Sequence, residues 1–212
     1  MADGKTPRIT TVLRGTRGCR AFHDLRRPAL VVADAQRFFC LEGSRAEVKA
    51  WTDIEPNVLA LLDGFRAAGL TASVTRHVQP DGDNSRIFKR FFASALRESD
   101  PMASLMSTVA AHADGVPRID KARFSCFSSP HFVELVAGHD SLIIAGVQTH
   151  LCVLATALDA IRHGLVPIVI ADAVGARREG DHAAALQVLA GGHAHLATTE
   201  EIWQTFLEGD RC

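Results

Sequence analysis

Short apolar runs alternate with helix-like segments along most of the chain, and this alternation limits the possible folds more than any other feature. The runs are rich in β-branched residues, which is typical of buried strands. Predicted strands lie at Ala29–Ala33, Leu70–Thr75, Ile119–Arg123, Leu142–Ala145, Val166–Ala171 and His195–Ala197. Predicted helices lie at Ile54–Ala68, Pro130–Ala137, Leu151–His163, Asp181–Gly191 and Glu200–Leu207. Because strands that alternate with helices form parallel sheets, we predict a three-layer α-β-α fold: a mostly parallel, Rossmann-like sheet with helices on both faces.

The length of 212 residues is typical of one domain. Residues 1–27 are polar and arginine-rich, so we predict an irregular N-terminal arm there and a single domain over residues 28–212. A net charge of −1 argues against a nucleic-acid partner or a membrane-surface partner. Five scattered cysteines, with no CxxC pair, predict reduced thiols and a cytoplasmic location.

Cys152 lies where the predicted strand Leu142–Ala145 gives way to the predicted helix Leu151–His163. Ligands bind at this carboxyl edge of open parallel sheets. The partial positive charge of a helix N-terminus also favours a thiolate over a thiol. The position therefore suits a nucleophile, although a free cysteine is also a common small core residue.

Two further charged residues lie at predicted strand ends. Asp34 directly follows the first strand, and Lys121 lies within the third. Taken singly, Asp34 fits a turn or helix cap and Lys121 fits a solvated surface charge. Taken with Cys152, they are the base and the cation that a nucleophilic thiol needs. Backbone N–H groups from Gln148 to Cys152 would then stabilise an oxyanion.

Three segments carry a resemblance to a known family. Ala29–Phe39 reads as an apolar run followed by Asp-x-Gln-x-x-Phe, and Lys121–Phe127 reads as Lys-x-x-Phe-Ser-x-Phe. Gly146–Ala160 reads as Gly-Val-x-Thr-x-x-Cys-Val-x-x-Thr-Ala-x-x-Ala. Together they resemble the isochorismatase-like cysteine hydrolases, which include nicotinamidases, N-carbamoylsarcosine amidases and isochorismatases. The resemblance extends from about residue 28 to residue 207.

The resemblance implies that Asp34, Lys121 and Cys152 form a catalytic triad. It also implies a cis peptide bond between Val147 and Gln148, whose N–H groups, with that of Cys152, face an oxyanion. Relatives of this kind are commonly dimers or tetramers, so we expect a homo-oligomer that acts on a small molecule. No cofactor is implied.

Nicotinamidases carry an Asp-x-His and a later histidine that hold a metal. Here the segment Trp51–Pro56 has no Asp-x-His, and His77 is a lone histidine after the second strand. Divalent metal sites need about three protein ligands, so we predict no metal and disfavour nicotinamide as the substrate.

Five residues are predicted to contact the substrate. Arg76 and His77 follow the second strand and suit a carboxylate or carbonyl group, although a loop-anchoring pair is an equal alternative. Phe39 and Phe127 flank the two shorter motifs and are predicted to line an apolar slot, since pockets are mostly apolar. Gln148 is the fifth, at the turn before Cys152.

The leading hypothesis is a metal-independent cysteine hydrolase that cleaves the C–N bond of a small amide, ureide or carbamoyl compound. An acyl-thioester on Cys152 is its intermediate. One alternative is hydrolysis of an isochorismate-type vinyl ether with Asp34 as general acid, for which the cysteine is dispensable. A second alternative is a non-catalytic binding protein on the same fold.

Overall fold

A computed structural model describes residues 24–80, 89–90 and 96–207. The predicted arm at residues 1–27 therefore lies outside the described residues except for its last four. There the backbone N–H groups of Arg26 and Arg27 both donate to the carboxylate of Asp140, at 2.7 and 2.8 Å.

Strands and helices alternate along the described chain, as the apolar pattern predicts. The strands are β1 (Pro28–Ala33), β2 (Thr71–His77), β3 (Arg118–Lys121), β4 (Ser141–Val147), β5 (Val166–Gly175) and β6 (His195–Ala197). The α-helices are α1 (Arg37–Cys40), α2 (Trp51–Ala67), α3 (Ser107–His112), α4 (Pro130–Val136), α5 (Leu154–Arg162), α6 (Glu179–Ala190) and α7 (Thr199–Ile202). Single 3-10 turns lie at Pro101–Ala103 and Cys126–Ser128, and π-helical turns at Thr149–Val153 and Trp203–Leu207.

All neighbouring strands pair in parallel, in the order β3-β2-β1-β4-β5-β6. The chain moves outward from β1 in one direction and then restarts at β4 in the other. In such sheets the crevice for a ligand opens outside the carboxyl ends of the two strands at this reversal. The reversal therefore places the candidate site beyond the ends of β1 and β4, which are followed by Asp34 and Gln148.

The four central strands, β1, β2, β4 and β5, bury both of their faces, whereas the edge strand β3 exposes one face. Along β1, Leu30 and Val32 belong to one apolar cluster, while Ala29 and Val31 belong to the other. This split follows from the alternation of side chains across a strand. Helix α2 packs in the first cluster, and α4, α5 and α6 pack in the second. The predicted three-layer α/β fold is confirmed, and the observed sheet is entirely parallel.

The boundaries of some elements differ from those predicted. Helix α2 begins at Trp51 rather than Ile54, and its extra turn buries the Trp51 side chain. The helix predicted from Leu151 is instead a π-helical turn, Thr149–Val153, followed by α5. Among the described residues, no helix is long and apolar enough to cross a membrane.

Candidate active site

Asp34 is held rigidly at the end of β1. Its φ of +51° lies in the left-handed region, which aspartate tolerates better than most residues and which is often found at functional sites. Its backbone N–H donates to the carbonyl of Thr75 at 3.2 Å. The Thr75 hydroxyl donates in turn to Asp34 Oδ1 at 2.8 Å. Strand β2 thus fixes both the backbone and one carboxylate oxygen of Asp34.

Lys121 ends β3 and reaches across the edge of the sheet. Its Nζ donates to Asp34 Oδ2 at 2.7 Å, to the carbonyl of Arg123 at 3.1 Å and to Cys152 Sγ at 3.5 Å. These acceptors satisfy all the donors of an ammonium group. Burial lowers the pKa of Lys121, but the charge of Asp34 outweighs burial and raises it. Lys121 is therefore a buried, permanently charged ammonium.

Cys152 lies on the π-helical turn Thr149–Val153, after the end of β4, and is only 4% exposed. Burial raises the pKa of its thiol well above the usual value, and the charge of Asp34 raises it further. Lys121 pulls the pKa in the opposite direction, with a smaller effect. Lys121 thus acts on the thiol in the predicted direction, while burial and Asp34 oppose it.

The backbone between β4 and Cys152 has the form that the resemblance implies. The peptide bond between Val147 and Gln148 is cis. Gly146 has a φ of +99°, and a Cβ atom there would lie 2.2 Å from the carbonyl oxygen of Ala33. Only glycine permits this close approach of β4 to β1. The approach sets the turn that carries Cys152 directly beside Asp34.

His77 joins this group, although sequence reasoning treated it as a lone histidine. One ring nitrogen of His77, a carboxylate oxygen of Asp34 and Cys152 Sγ all lie within 4.8 Å of one another. Burial, followed by the charge of Lys121, lowers the pKa of His77 to about 3, against the opposing effect of Asp34. The imidazole is therefore neutral beside the triad.

Two glutamines hold His77 in place. Gln36 accepts a hydrogen bond from the His77 backbone N–H at 2.7 Å and donates to its carbonyl at 3.3 Å. The Gln79 amide nitrogen faces the carbonyl of Ala122 at 3.2 Å, and the same nitrogen lies 2.8 Å from His77 Nε2. Nε2 must then be an acceptor, so the imidazole proton resides on Nδ1. Sequence reasoning missed both glutamines, although the Gln36 position is part of the first motif.

Asp34, His77 and Cys152 offer one donor atom each to a metal ion. The structure therefore corrects the prediction that His77 has no other potential metal ligand near it. However, a cation, the Lys121 ammonium, already lies next to these donor atoms. Lys121 Nζ binds both Asp34 and Cys152, and a metal ion would have to share these donors with a buried ammonium.

A cavity of about 480 Å³ opens next to the turn that carries Cys152, and its lining residues include none of Asp34, Lys121 and Cys152. Its walls include Gln148 and Leu151, which precede the thiol in the chain, and Phe124, whose ring lies 6.2 Å from that of His77. The remaining lining residues are Ala46, His150, Arg177, Arg178 and Asp181. Gln148 is thus at the site as predicted. Phe124, which is not among the five predicted contacts, is the aromatic residue of the wall.

Three of the predicted substrate contacts lie elsewhere. Arg76 is a cross-strand partner of Asp120 on β3 and forms two hydrogen bonds to its carboxylate, at 2.7 and 2.6 Å. It faces away from His77 because side chains alternate along a strand. Phe39 is buried in the core, with its ring 5.0 Å from that of Phe38. Phe127 stacks on His163 at the far end of α5, with ring centroids 4.4 Å apart.

Comparisons with known proteins found a matching family model, related sequences and a similar solved structure. The family model described as Isochorismatase domain matches residues 28–201. A protein of Arabidopsis thaliana named as a probable inactive nicotinamidase is 32% identical over 168 residues, which cover 75% of this chain and 86% of that protein. A phenazine biosynthesis protein of Pseudomonas aeruginosa is 28% identical, with 84% of this chain and 85% of that protein covered. A crystal structure of a cysteine hydrolase from Pseudomonas syringae pv. phaseolicola has a TM-score of 0.77 at 24% identity, covering 85% of this chain and 95% of that one.

Proposed function

The chain belongs to the isochorismatase family of hydrolases, and on that premise we propose that it hydrolyses the C–N bond of a small amide, ureide or carbamoyl compound, with Cys152 as the nucleophile. One observation supports this proposal above all others. A fully buried ammonium, Lys121 Nζ, contacts both the Asp34 carboxylate and the Cys152 sulfur. A buried cation shared by a base and a thiol is suited to proton transfer between them.

In the proposed reaction the Cys152 sulfur attacks the carbonyl carbon of the substrate while its proton moves to Asp34. A thiol with a raised pKa suits this concerted step, because no free thiolate has to persist in the resting site. The C–N bond then breaks, and Asp34 delivers the proton to the leaving nitrogen. Water attacks the resulting thioester with Asp34 as base, which releases the acid and restores the thiol.

The roles of the other groups follow from their positions. Lys121 keeps the Asp34 carboxylate oriented and stabilises negative charge on sulfur. The backbone N–H groups of the turn from Val147 through Gln148 to Cys152 are proposed to stabilise the tetrahedral oxyanion. Lys121 also supplies the positive charge that a metal ion would otherwise bring, so the proposed mechanism is metal-independent.

Hydrolysis of an isochorismate-type vinyl ether is the second candidate, since the family model that matches this chain is named for isochorismatase. In that reaction Asp34 would donate a proton and Cys152 would not react. The third candidate is a binding protein without catalysis, which the name of the Arabidopsis relative favours. The intact contact of Lys121 with Asp34 favours an active site over the binding protein, and its contact with the Cys152 sulfur favours a reacting thiol over the vinyl-ether reaction.

The test compares Cys152→Ala and Asp34→Ala with the wild type on small amides, ureides, carbamoyl compounds and isochorismate. Amide hydrolysis should be lost in both variants, and mass spectrometry should detect an acyl adduct in the wild type alone. Cys40→Ala is the matched control, because Cys40 is also a buried free cysteine. An active Cys152→Ala combined with an inactive Asp34→Ala would establish the vinyl-ether reaction instead. Inactivity of the wild type on every compound would favour the binding protein.

A further inference from the structure

Helix α6 holds the turn that carries Cys152 from outside. Thr149 begins this turn, three residues before Cys152, and its side chain is completely buried. The Thr149 hydroxyl lies 2.9 Å from Nδ1 of His182, which belongs to α6. A buried hydroxyl needs a hydrogen-bond partner, because leaving it unpaired would destabilise the folded protein. His182 supplies this partner from a different element of the fold.

We propose that His182 is a positioning residue: through Thr149 it fixes the turn that presents the Cys152 thiol and the backbone N–H groups beside it. This inference rests on the proposed function, in which Cys152 is the group that reacts. His182 contacts the Thr149 hydroxyl, which takes no part in the proposed reaction, so His182 acts through the backbone of the turn. Misplacing a catalytic group by about 1 Å can lower a rate about 10²-fold, so even a small movement of this turn would slow the reaction.

Two neighbouring contacts tie the same segments together more weakly. The backbone N–H of Arg177 donates to Gln148 Oε1 at 3.4 Å, which is long for a hydrogen bond. His150 Nε2 lies 3.9 Å from Asp181 Oδ2, beyond hydrogen-bond distance. The 2.9 Å contact of Thr149 is therefore the shortest of these three contacts.

Apolar contacts hold α6 against the turn but do not orient it. Leu186 and Leu189 of α6 belong to the same apolar cluster as Cys152 and Val153. Apolar packing is non-directional, whereas a hydrogen bond fixes both the distance and the angle between its partners. The hydrogen bond to Thr149 therefore sets the position of the turn along α6, and the apolar contacts keep it packed against the helix.

The imidazole of His182 is suited to this contact at neutral pH. Burial lowers the pKa of the half-buried ring, against the smaller opposing effect of Glu179. The ring is therefore neutral, and one of its nitrogens donates while the other accepts. Because a hydroxyl can both donate and accept, either tautomer of His182 satisfies Thr149.

The first test measures how fast iodoacetamide alkylates Cys152, by mass spectrometry of the labelled peptide. His182→Leu and Thr149→Val each remove the hydrogen bond and keep the approximate size of the side chain. We expect Cys152 to react at least about threefold faster in each variant, because a loosened turn admits water and lessens the burial that raises the thiol pKa. His182→Asn, whose amide can replace Nδ1, should react like the wild type.

The second test is kinetic, on the amide that the wild type hydrolyses fastest, and its effect should have the opposite sign. His182→Leu and Thr149→Val should each lower kcat about tenfold and change KM less than about twofold, because the reacting geometry is lost rather than substrate binding. The double variant should be no slower than either single variant, since both remove the same contact. His182→Asn should restore most of kcat. His112→Leu is the matched control, because His112 on α3 bonds Asp63 at a similar distance, 2.8 Å.

The outcomes separate this inference from the proposed function. If the wild type hydrolysed no amide but Cys152 alone were alkylated faster in both variants, the hold on the turn would stand and amide hydrolysis would fail. If amides were hydrolysed but His182→Leu changed neither kcat nor alkylation, the inference would be overturned. Equal acceleration at Cys152 and at the buried Cys40 would mean that the whole fold had loosened, and it would overturn the inference too. Losses of kcat that multiply in the double variant would do the same.

Discussion

The triad and the mouth of the cavity are adjacent but differ in burial and in the balance of their charges. The side chains of Asp34 and Lys121 are completely buried, and each is balanced by the other. At the mouth, Arg177 and Arg178 are exposed, and the side chain of Asp181 is 40% exposed. Charges interact strongly where water is excluded and weakly where water and salt screen them. Substitutions in the triad are therefore expected to have larger effects than substitutions at the mouth.

This contrast predicts that the two regions respond differently to substitution. In the proposed function the buried triad carries out the reaction, which requires a fixed geometry and a constant set of charges. Substitutions in the two regions should accordingly differ in both the size and the kind of their effects.

The largest effect is expected when the buried pair loses one partner. Lys121→Met leaves the Asp34 carboxylate buried without a cation and should lower the free energy of unfolding by about 3–5 kcal/mol. It should also reduce kcat/KM by about 10²- to 10⁴-fold, because proton transfer through Asp34 is disrupted. Chemical denaturation followed by circular dichroism, together with steady-state kinetics, measures both.

The double variant Asp34→Asn/Lys121→Met tests the cause of this loss. Without an uncompensated charge it should recover much of the stability while staying inactive. The exposed pair of Arg162 and Asp159 is the control, and Arg162→Met should cost less than about 1 kcal/mol. If Lys121→Met and Arg162→Met proved equally stable, the buried pair would not be the strong interaction that its burial implies.

The same contrast explains which features the sequence could predict. Asp34, Lys121 and Cys152 each follow or end a buried strand, so apolar runs and parallel topology bring them to one edge. Parallel pairing of β1 with β4 then places the two motifs side by side. The order of the strands, and hence this reversal point, was not predicted and comes from the structure.

The errors have physical causes as well. Arg76 and His77 were treated as one pair, yet side chains alternate along β2, so only His77 shares the face of Thr75 and contacts the triad. Desolvation of Cys152 depends on how deeply the turn is packed, which sequence does not reveal. Arg177 and Arg178 lie in the short loop after β5, whose path depends on tertiary contacts, and sequence reasoning missed them entirely.

A smaller effect on stability is expected from protonation of the two neutral histidines, His77 beside the triad and His150 at the mouth. His77 has a pKa of about 3 in the folded protein, below the value of about 6.5 in an unfolded chain. The unfolded state therefore binds more protons between these values, so the protein should lose stability as pH falls from about 6.5 toward 3. The loss from this one group approaches about 1.4 kcal/mol per pH unit.

His77→Gln should flatten this pH dependence, as measured by chemical denaturation at a series of pH values from 7 to 4. The half-buried His150, whose pKa is also lowered by burial, provides the comparison at the mouth. His150→Gln should flatten the profile less, since its ring is more exposed to water. A His77→Gln profile as steep as that of the wild type would show that His77 is not the buried neutral group.

The smallest effect is expected from Asp181→Asn, which removes the carboxylate that lies 3.9 Å from His150 Nε2. Asp181 raises the pKa of His150 against the lowering effect of burial, so this pKa should fall further in the variant. The change should be small, and salt should reduce it, because water and ions screen partly exposed charges at the mouth. Titration of the His150 ring followed by NMR measures the change, and Asp159→Asn, on α5, is the matched control. A pKa of His150 that stays the same in Asp181→Asn would mean that the two side chains do not interact in solution, and burial alone would then set the charge of this ring.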